Sequence, residues 1–368
     1  MVSKVYFINT RAAYHKNLFA KFKELLIKAG LPKIIEKDDL VAVKVHFGEM
    51  GSSRFLRPIW ARELARILQL GGAKPFLTDT NALYKGSRSH AIDHLLTALS
   101  NGFGFSATLT PLIIADGLRG TSGVEVKIDK KHFEKVEVAE GAYLADALVV
   151  LTHFKGHGLT GFGGTIKNIG MGLTTKTGKC KIHTDTGPVM DEELCTGCGL
   201  CARWCDAEAI KVIDTKAKID KRLCTGCGQC LVSCPNKATK IDWGAVSSKV
   251  AQERICEAAL AVIKDKEKRF FLNFLLDITP DCDCCPHSDA SIVPDIGILA
   301  SLDPVAIDQA GVDLVNASCG LKDTALKRNF AKGEDKFKAI HPNVNWGIQL
   351  SYAEKIGLGS RKYELIAI

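Results

Sequence analysis

No apolar run in this sequence approaches the ~20 residues that a membrane-spanning helix needs. Nor does the opening, MVSKVYFINTRAAYHKN, hold an apolar core of signal-peptide length followed by a small-residue cleavage site. The two absences lead to the expectation of a cytoplasmic protein with no membrane partner. A gathered basic tract with interleaved aromatics is missing as well: Lys130 and Lys131 stand apart from the lysines between 264 and 268. The formal net charge of +8 over 368 residues therefore suits an anionic partner, and nucleic acid is not expected. With 46% hydrophobic and 24% charged residues the chain has the composition of a globular protein with a sizeable core, and its length points to two or three domains.

Cysteine, by contrast, is abundant. Fourteen is a large number for a reducing compartment, where structural disulfides are disfavoured and clustered cysteines more often bind metal. Eight lie between Cys195 and Cys234. CTGCGLCARWC (195–205) and CTGCGQCLVSCP (224–235) share the spacing C-x2-C-x2-C-x3-C, start 29 residues apart, and are followed by related tails, AIKVID and ATKID. The second copy ends in Pro235; the first has Asp206 there. This internal repeat resembles the bacterial two-cluster ferredoxins. Three cysteines at x2 intervals wrap one corner of a cubane, and the fourth ligates the other cluster. The expected sets are Cys195, Cys198, Cys201 and Cys234 for one [4Fe–4S] cluster, and Cys224, Cys227, Cys230 and Cys205 for the second. Gly197, Gly199, Gly226 and Gly228 leave room for the backbone beside the sulfides. A pair of zinc sites is the alternative, but zinc ribbons pair two cysteines with two more and do not use a triple followed by x3.

Upstream of residue 185 apolar strands alternate with amphipathic helices: SKVYFINT, LVAVKVHFG, PFLTDT, PLIIAD and ADALVVLTHF read as strands. HKNLFAKFKELLIKAG, RPIWARELARILQLGGAK and SHAIDHLLTALSNG read as helices. The pattern resumes after 243 with the helix VAQERICEAALAVIKD, the strands RFFLNFLLDI and GILASLD, and the helix PVAIDQAGVDLVNA. Such alternation predicts an α/β protein with a helix-covered, largely parallel sheet. The expected organisation is one α/β domain made of residues 1–186 and 244–368, interrupted by an inserted α+β ferredoxin-like domain at 187–243.

THFKGHGLTGFGGTIKNIGMG (152–172) follows the most apolar strand and contains seven glycines. Ligands in open α/β sheets bind at the carboxyl ends of strands, so this segment is a candidate ligand site. Lys155 and Lys167 would supply positive charge, His153 and His157 proton transfer or metal ligation, and Asn168 an oriented amide. The spacing is read as neither named nucleotide fingerprint, G-x-G-x-x-G being taken as absent and Lys167 lacking the Ser or Thr that follows it in a phosphate loop. The bland alternative is a long surface loop with incidental histidines. Other strand ends offer Lys44, His46 and Glu49, then Asp79, Asn81 and Lys85, and finally Asp303 and Asp308. Each has a plain reading too: Asp303 as an N-cap, Asp308 as a helix-face charge, Lys44 as an outward strand position. Their expected gathering at one rim is what favours a site.

The set K-V-H-F, T-D-T-N, T-H-x-K-x-H with a downstream K-N-x-G, and D-P-V-A-x-D resembles a bacterial and archaeal family of unknown function. Its members are often labelled iron–sulfur centre proteins, and many carry a ferredoxin insert. Lys44, His153, Lys155, His157, Lys167, Asn168, Asp303 and Asp308 match that family's recurring positions, while His46 stands where asparagine is common. The resemblance implies iron–sulfur binding and a redox role; it supplies no substrate.

DCDCCPHSD (281–289) adds Cys282, Cys284, Cys285 and His287 within six residues. These could hold an additional metal, with another strand-end histidine completing the shell. Alternatively Cys284–Cys285 is a vicinal redox dithiol, or the segment is an unligated turn. Cys180, Cys256 and Cys319 read as ordinary single cysteines. The functional expectation is an oxygen-sensitive redox enzyme of anaerobic origin passing electrons between a carrier and a small anionic ligand. The alternatives are an electron-transfer module acting through a partner protein, and a non-redox metal-dependent enzyme with structural or sensory clusters.

Overall fold

In the computed structural model, which describes residues 2–368, the strand ALVVLTH at Ala147–His153 is buried at every position. Ala147, Val149 and Leu151 face one apolar cluster while Leu148 and Val150 face the other, the period-two alternation of a strand covered on both sides. It belongs to an eight-stranded sheet. The strands are β1 (Ser3–Asn9), β2 (Leu40–Lys44), β3 (Lys74–Asp79), β4 (Leu112–Ile114), β5 (Ala147–His153), β6 (Lys268–Leu275), β7 (Gly297–Ser301) and β8 (Tyr363–Ala367). Their spatial order is β8-β1-β7-β6-β5-β2-β3-β4. Every neighbouring pair is parallel except those made by β7, which runs antiparallel to both β1 and β6.

The main helices are α1 (Leu18–Lys28), α2 (Pro58–Leu70), α3 (Ala91–Ala98), α4 (Thr165–Gly172), α5 (Lys176–His183), α6 (Ser248–Lys264), α7 (Pro304–Ala317) and α8 (Gly347–Lys355). Phe22 and Leu25 of α1 and Trp60 and Leu64 of α2 cover one face of the sheet. Ile166, Ile255, Val305 and Leu350, from α4, α6, α7 and α8, cover the other. Each such side chain contributes about 1.5–3 kcal/mol when fully buried. No described helix is long and apolar enough to cross a membrane.

Two expectations change. The strand GILAS is β7, the one reversed strand, so the chain leaving it emerges at the rim opposite to that of β2, β3, β5 and β6. The segment 152–172 is not a surface loop: Lys155–His157 pairs with Gly161–Gly163 in a short hairpin, and α4 follows at once. Between Thr152 and Gly172 only Gly158 is exposed. The glycines serve approach rather than pliancy. A Cβ on Gly170 would collide with the backbone carbonyl of Ile255 in α6, and one on Gly164 with the Asp308 carboxylate.

Residues 187–243 leave the sheet domain between α5 and α6 and return to it as paired strands, Val189–Met190 against Thr239–Lys240. Between them stands the hairpin Ile210–Ile213 and Lys216–Ile219. This lobe has its own apolar cluster, in which Cys195, Cys201, Cys230 and Cys234 pack with Ile210, Leu231 and Ile241, joined by Leu83 and Cys180 from the sheet domain.

Candidate functional site

A cavity of about 240 Å³ opens at the carboxyl rim of β2, β3 and β5. Five cationic side chains line it, Lys44, Arg88, Lys155, Lys167 and Lys179, together with His46, His157 and His183 but one carboxylate, Asp79. The strands fix the innermost of these. Lys44 ends β2 and Asp79 ends the adjacent β3; their side chains meet at 3.1 Å, and Lys44 Nζ also donates to Asn168 Oδ1 at 2.7 Å. Asn168 is itself oriented from α4 by donating to Leu151 O and to Thr152 Oγ1. Burial pushes Lys44 below the ordinary lysine range, with Asp79 opposing. Burial raises Asp79, yet Lys44, His94 and His46 outweigh it and hold this carboxyl well below its usual range. Asp79 Oδ2 has no hydrogen-bond partner.

The second wall comes from the glycine-rich segment and the loop after β6. Lys155 Nζ donates to His153 O at 2.8 Å and lies 3.1 Å from Asp283 Oδ2. His153 is tied down at both nitrogens: Nδ1 lies 2.7 Å from Asp283 Oδ1, and Nε2 faces the carbonyls of Leu276 and Asp277 at 3.0 Å. His153 therefore anchors the wall and does not line the cavity, contrary to the expected role in proton transfer. His157 Nδ1 accepts from Thr160 N at 3.2 Å and Leu159 N at 3.3 Å, which leaves the ring proton on Nε2, toward Cys282. Lys167 Nζ donates to Cys282 Sγ at 3.2 Å. Hydrogen bonding from the Cys284 thiol, then Lys167, His157 and Lys155, hold Cys282 well below the ordinary thiol range against the opposing effect of burial.

Other expected residues sit elsewhere. Asp303 lies at the opposite rim because β7 is reversed; there it caps α7 through Val305 N at 2.8 Å and Ala306 N at 3.0 Å and accepts from Ser3 Oγ. Asp308 is wholly buried under α4, accepting from Thr165 N at 2.7 Å, Ile166 N at 2.9 Å and Asn273 Nδ2 at 2.8 Å. Its oxygens satisfy the first amides of that helix, so no ligand phosphate is needed there, and burial pushes its carboxyl up to about 7. Gly156, Gly158 and Gly161 do stand at G-x-G-x-x-G spacing, but in a hairpin rather than a strand-to-helix turn, so the dinucleotide geometry is not formed. Glu49 holds Arg88 Nε at 3.1 Å and the Tyr84 hydroxyl at 2.8 Å behind the cavity. Asn81 pairs with Asp116. Lys85 reaches the lobe, donating to Cys234 O at 2.7 Å. His287 is exposed, and the histidine at Cys282 is His157 instead. Among the described residues, no three His, Cys, Asp or Glu side chains converge as for a single metal ion.

Arg88, Lys179, His183, Tyr84, Trp243 and Asp283 were not singled out by sequence reasoning. Arg88 and Lys179 lie in stretches with no recognisable spacing; Asp283 lay in plain view between two cysteines. Trp243, at the lobe's end, meets His183 edge to face at 4.8 Å and lines the cavity beside it.

In the lobe, Cys205, Cys224, Cys227 and Cys230 wall one small void. That is the crossed set, three cysteines of the second repeat and the last of the first. The two repeats also behave alike: Ala209 N donates to Cys205 Sγ at 3.3 Å and Ala238 N to Cys234 Sγ at 3.2 Å, while Ala217 N reaches Cys195 Sγ. Gly199 and Gly228, at φ +75° and +71°, start the short helices Leu200–Arg203 and Gln229–Ser233. All eight cysteines are unpaired by disulfides. Sulfurs grouped around a void and receiving backbone amides fit a [4Fe–4S] cluster, in which each thiolate takes a different iron and need not converge on one point.

Fold and site together define an α/β protein whose cation-rich cavity opens at the carboxyl rim of a largely parallel sheet. The chain belongs to the DUF362 family, a domain of unknown function, whose model matches residues 41–313. Among solved structures, the lactate racemase apoprotein from Thermoanaerobacterium thermosaccharolyticum is similar at 15% identity and a TM-score of 0.38, over 75% of this chain and 51% of that one. A protein from Thermotoga maritima is similar at 13% identity and a TM-score of 0.38, over 74% of this chain and 54% of that one. The chain thus spans about half the length of both. No curated protein matches it.

Proposed function

We propose that this protein is an iron–sulfur redox protein that holds two [4Fe–4S] clusters in the 187–243 lobe and exchanges electrons with a small anionic ligand in the rim cavity. Cys195, Cys198, Cys201 and Cys234 would hold one cluster; Cys224, Cys227, Cys230 and Cys205 the other. When bound, such clusters supply one-electron chemistry. The observation that carries the reading is the shared wall. Leu83 lines the cation-rich cavity and also packs in the lobe's cysteine cluster, where it meets Gly228. The chain's own residues suit the ligand side: Arg88, Lys155 and Lys167 offer charge-assisted donors, and the rings of His157 and Trp243 line the wall.

Anaerobic purification tests this directly. Expected are a brown protein with iron and acid-labile sulfide for two clusters, an electron paramagnetic resonance signal on reduction, and a co-purifying anion identified by mass spectrometry. An Arg88→Met, Lys167→Met double variant should lose the anion and keep the iron. Colourless material without labile sulfide overturns the reading. A protein partner is also favoured by one observation: Leu200, Trp204, Val212, Ile213 and Leu223 are exposed apolar side chains on the lobe. An external redox partner docking there would deliver or remove the electrons.

A further inference from the structure

The segment after β6 carries three thiols that the proposed function leaves unused. Cys282 is buried, with its sulfur receiving three donors from three parts of the fold: Lys167 Nζ of α4 at 3.2 Å, the His157 ring of the hairpin, and the thiol of Cys284. The side chain between them, Asp283, points away to His153 and Lys155. Anchoring of Asp283 and the turn bond from Cys285 N to Cys282 O at 2.9 Å fix the turn from which the Cys284 thiol faces Cys282 on one side and Cys285 on the other. Cys284 also lines the cavity, whose opposite side includes Leu83 and, through it, the second cysteine repeat of the lobe. A buried thiolate with fixed cationic donors beside a second, accessible thiol is the arrangement of a reactive pair.

We propose that Cys282 and Cys284 form a redox-active dithiol–disulfide pair on the cavity wall. The electron supply to the pair, though not the pair itself, rests on the lobe binding two clusters, which act here as the one-electron donor class. In the oxidised state a Cys282–Cys284 bond is present. Its reduction takes two electrons, one from each reduced [4Fe–4S] cluster, and one proton; the S–S bond breaks, leaving Cys282 as thiolate held by Lys167 and His157, and Cys284 as thiol. Both clusters end oxidised by one electron. Oxidation of the pair runs the same balance in reverse. The pair thus converts two single-electron deliveries into one two-electron store beside the ligand. The vicinal alternative, Cys284–Cys285, has to close a ring around a planar trans peptide, and Cys285, though it faces Cys284, receives no hydrogen bond from Lys167.

The test uses the full-length protein, purified anaerobically and equilibrated with graded ratios of reduced and oxidised dithiothreitol. Alkylation, digestion and mass spectrometry then read the linkages. The expected result is a Cys282–Cys284 link that disappears in one two-electron transition, with Cys285 alkylated throughout. A Lys167→Met variant should slow iodoacetamide labelling of reduced Cys282 by roughly fivefold or more at neutral pH, with a smaller effect on Cys285, which Lys167 reaches only through its charge. A Cys284–Cys285 link, no link at any ratio, or an additional metal ion protecting all three thiols would overturn the pair. Iron is measured on the same samples, so the two readings part company. Iron without the link removes the dithiol alone; the link without iron removes the cluster-based function and leaves the dithiol standing.

Discussion

Two glycine-rich stretches of this chain use glycine for opposite reasons. In the cysteine repeats, Gly199 and Gly228 stand at φ near +70°, where a side chain would strain the backbone, and each starts a short helix beside three cysteines. In 152–172, Gly164 and Gly170 have ordinary dihedral signs; what matters is that a Cβ would strike Asp308 or α6. The first stretch writes its site in spacing along the chain. The second contributes Lys155, His157, Lys167 and Asn168 to a site whose remaining members come from β2, β3, α5, the loop after β6 and the lobe. A locally coded site is readable from one segment; a convergent one is completed only by the fold.

The sharpest way to break this comparison is to test whether the cysteine repeats are truly local. If each repeat held its own cluster, a Cys205→Ser, Cys224→Ser double variant would damage both clusters and lose all iron. In the crossed arrangement the two residues share one cluster, and the double variant keeps half the iron. Cys201→Ser, Cys205→Ser, confined to one repeat, should then lose both. Iron and labile sulfide measured on anaerobic protein decide it.

Next in size is the buried pair at the strand ends. Lys44→Met leaves Asp79 buried without its partner, and a loss of about 3–5 kcal/mol in chemical denaturation is expected. A smaller change would mean that Arg88, 3.7 Å from Asp79 Oδ2, takes over the charge. Below that come the packing glycines. Gly170→Ala should cost about 1–3 kcal/mol because α4 must move off α6, whereas Gly158→Ala, with open space around it, should stay within about 0.5 kcal/mol. Equal effects at the two positions would restore the surface-loop reading of the segment.

How much of this was legible beforehand follows the same division. The helix-covered, largely parallel sheet was readable because buried strands such as ALVVLTH and amphipathic helices such as LFAKFKELLIK carry their periods locally. The direction of β7 was not, since a strand's own residues do not say which neighbours it pairs with, and Asp303 went to the wrong rim for that reason. Edge strand β8 was missed: Tyr363–Ala367 is short and mostly half-exposed or exposed, so its pattern is weak. Asp308 was expected at the ligand site, but its partners are the first amides of α4, 142 and 143 positions away. Arg88 and Lys179 reach the cavity from segments that look like ordinary surface charge until the fold brings them in.

Lys179 offers the finest test of the convergent site, because one titration should move two observables in opposite directions. Its Nζ donates to Thr80 Oγ1 at 2.6 Å and Thr174 O at 2.7 Å and lines the cavity. Burial pushes it down to about 8; Asp116 and Asp79 oppose this, and Lys44 and Arg88 add to it. In the unfolded chain the same group holds its proton to about 10.4. Between these values the unfolded state binds the extra proton, so the contribution of Lys179 to stability rises with pH in that window. Anion binding goes the other way: the folded protein loses a cavity charge as pH passes 8, and affinity for sulfate, whose own charge is constant there, should fall roughly fivefold, about 1 kcal/mol. Lys176, also pushed down to about 8 by burial, does not line the cavity and affects the stability slope alone. A Lys179→Met variant should bind sulfate weakly with no pH dependence between 7.5 and 9 while keeping part of the slope in denaturation. Unchanged sulfate titrations in that variant would remove Lys179 from the site and shift the burden of anion recognition to Arg88, Lys155 and Lys167.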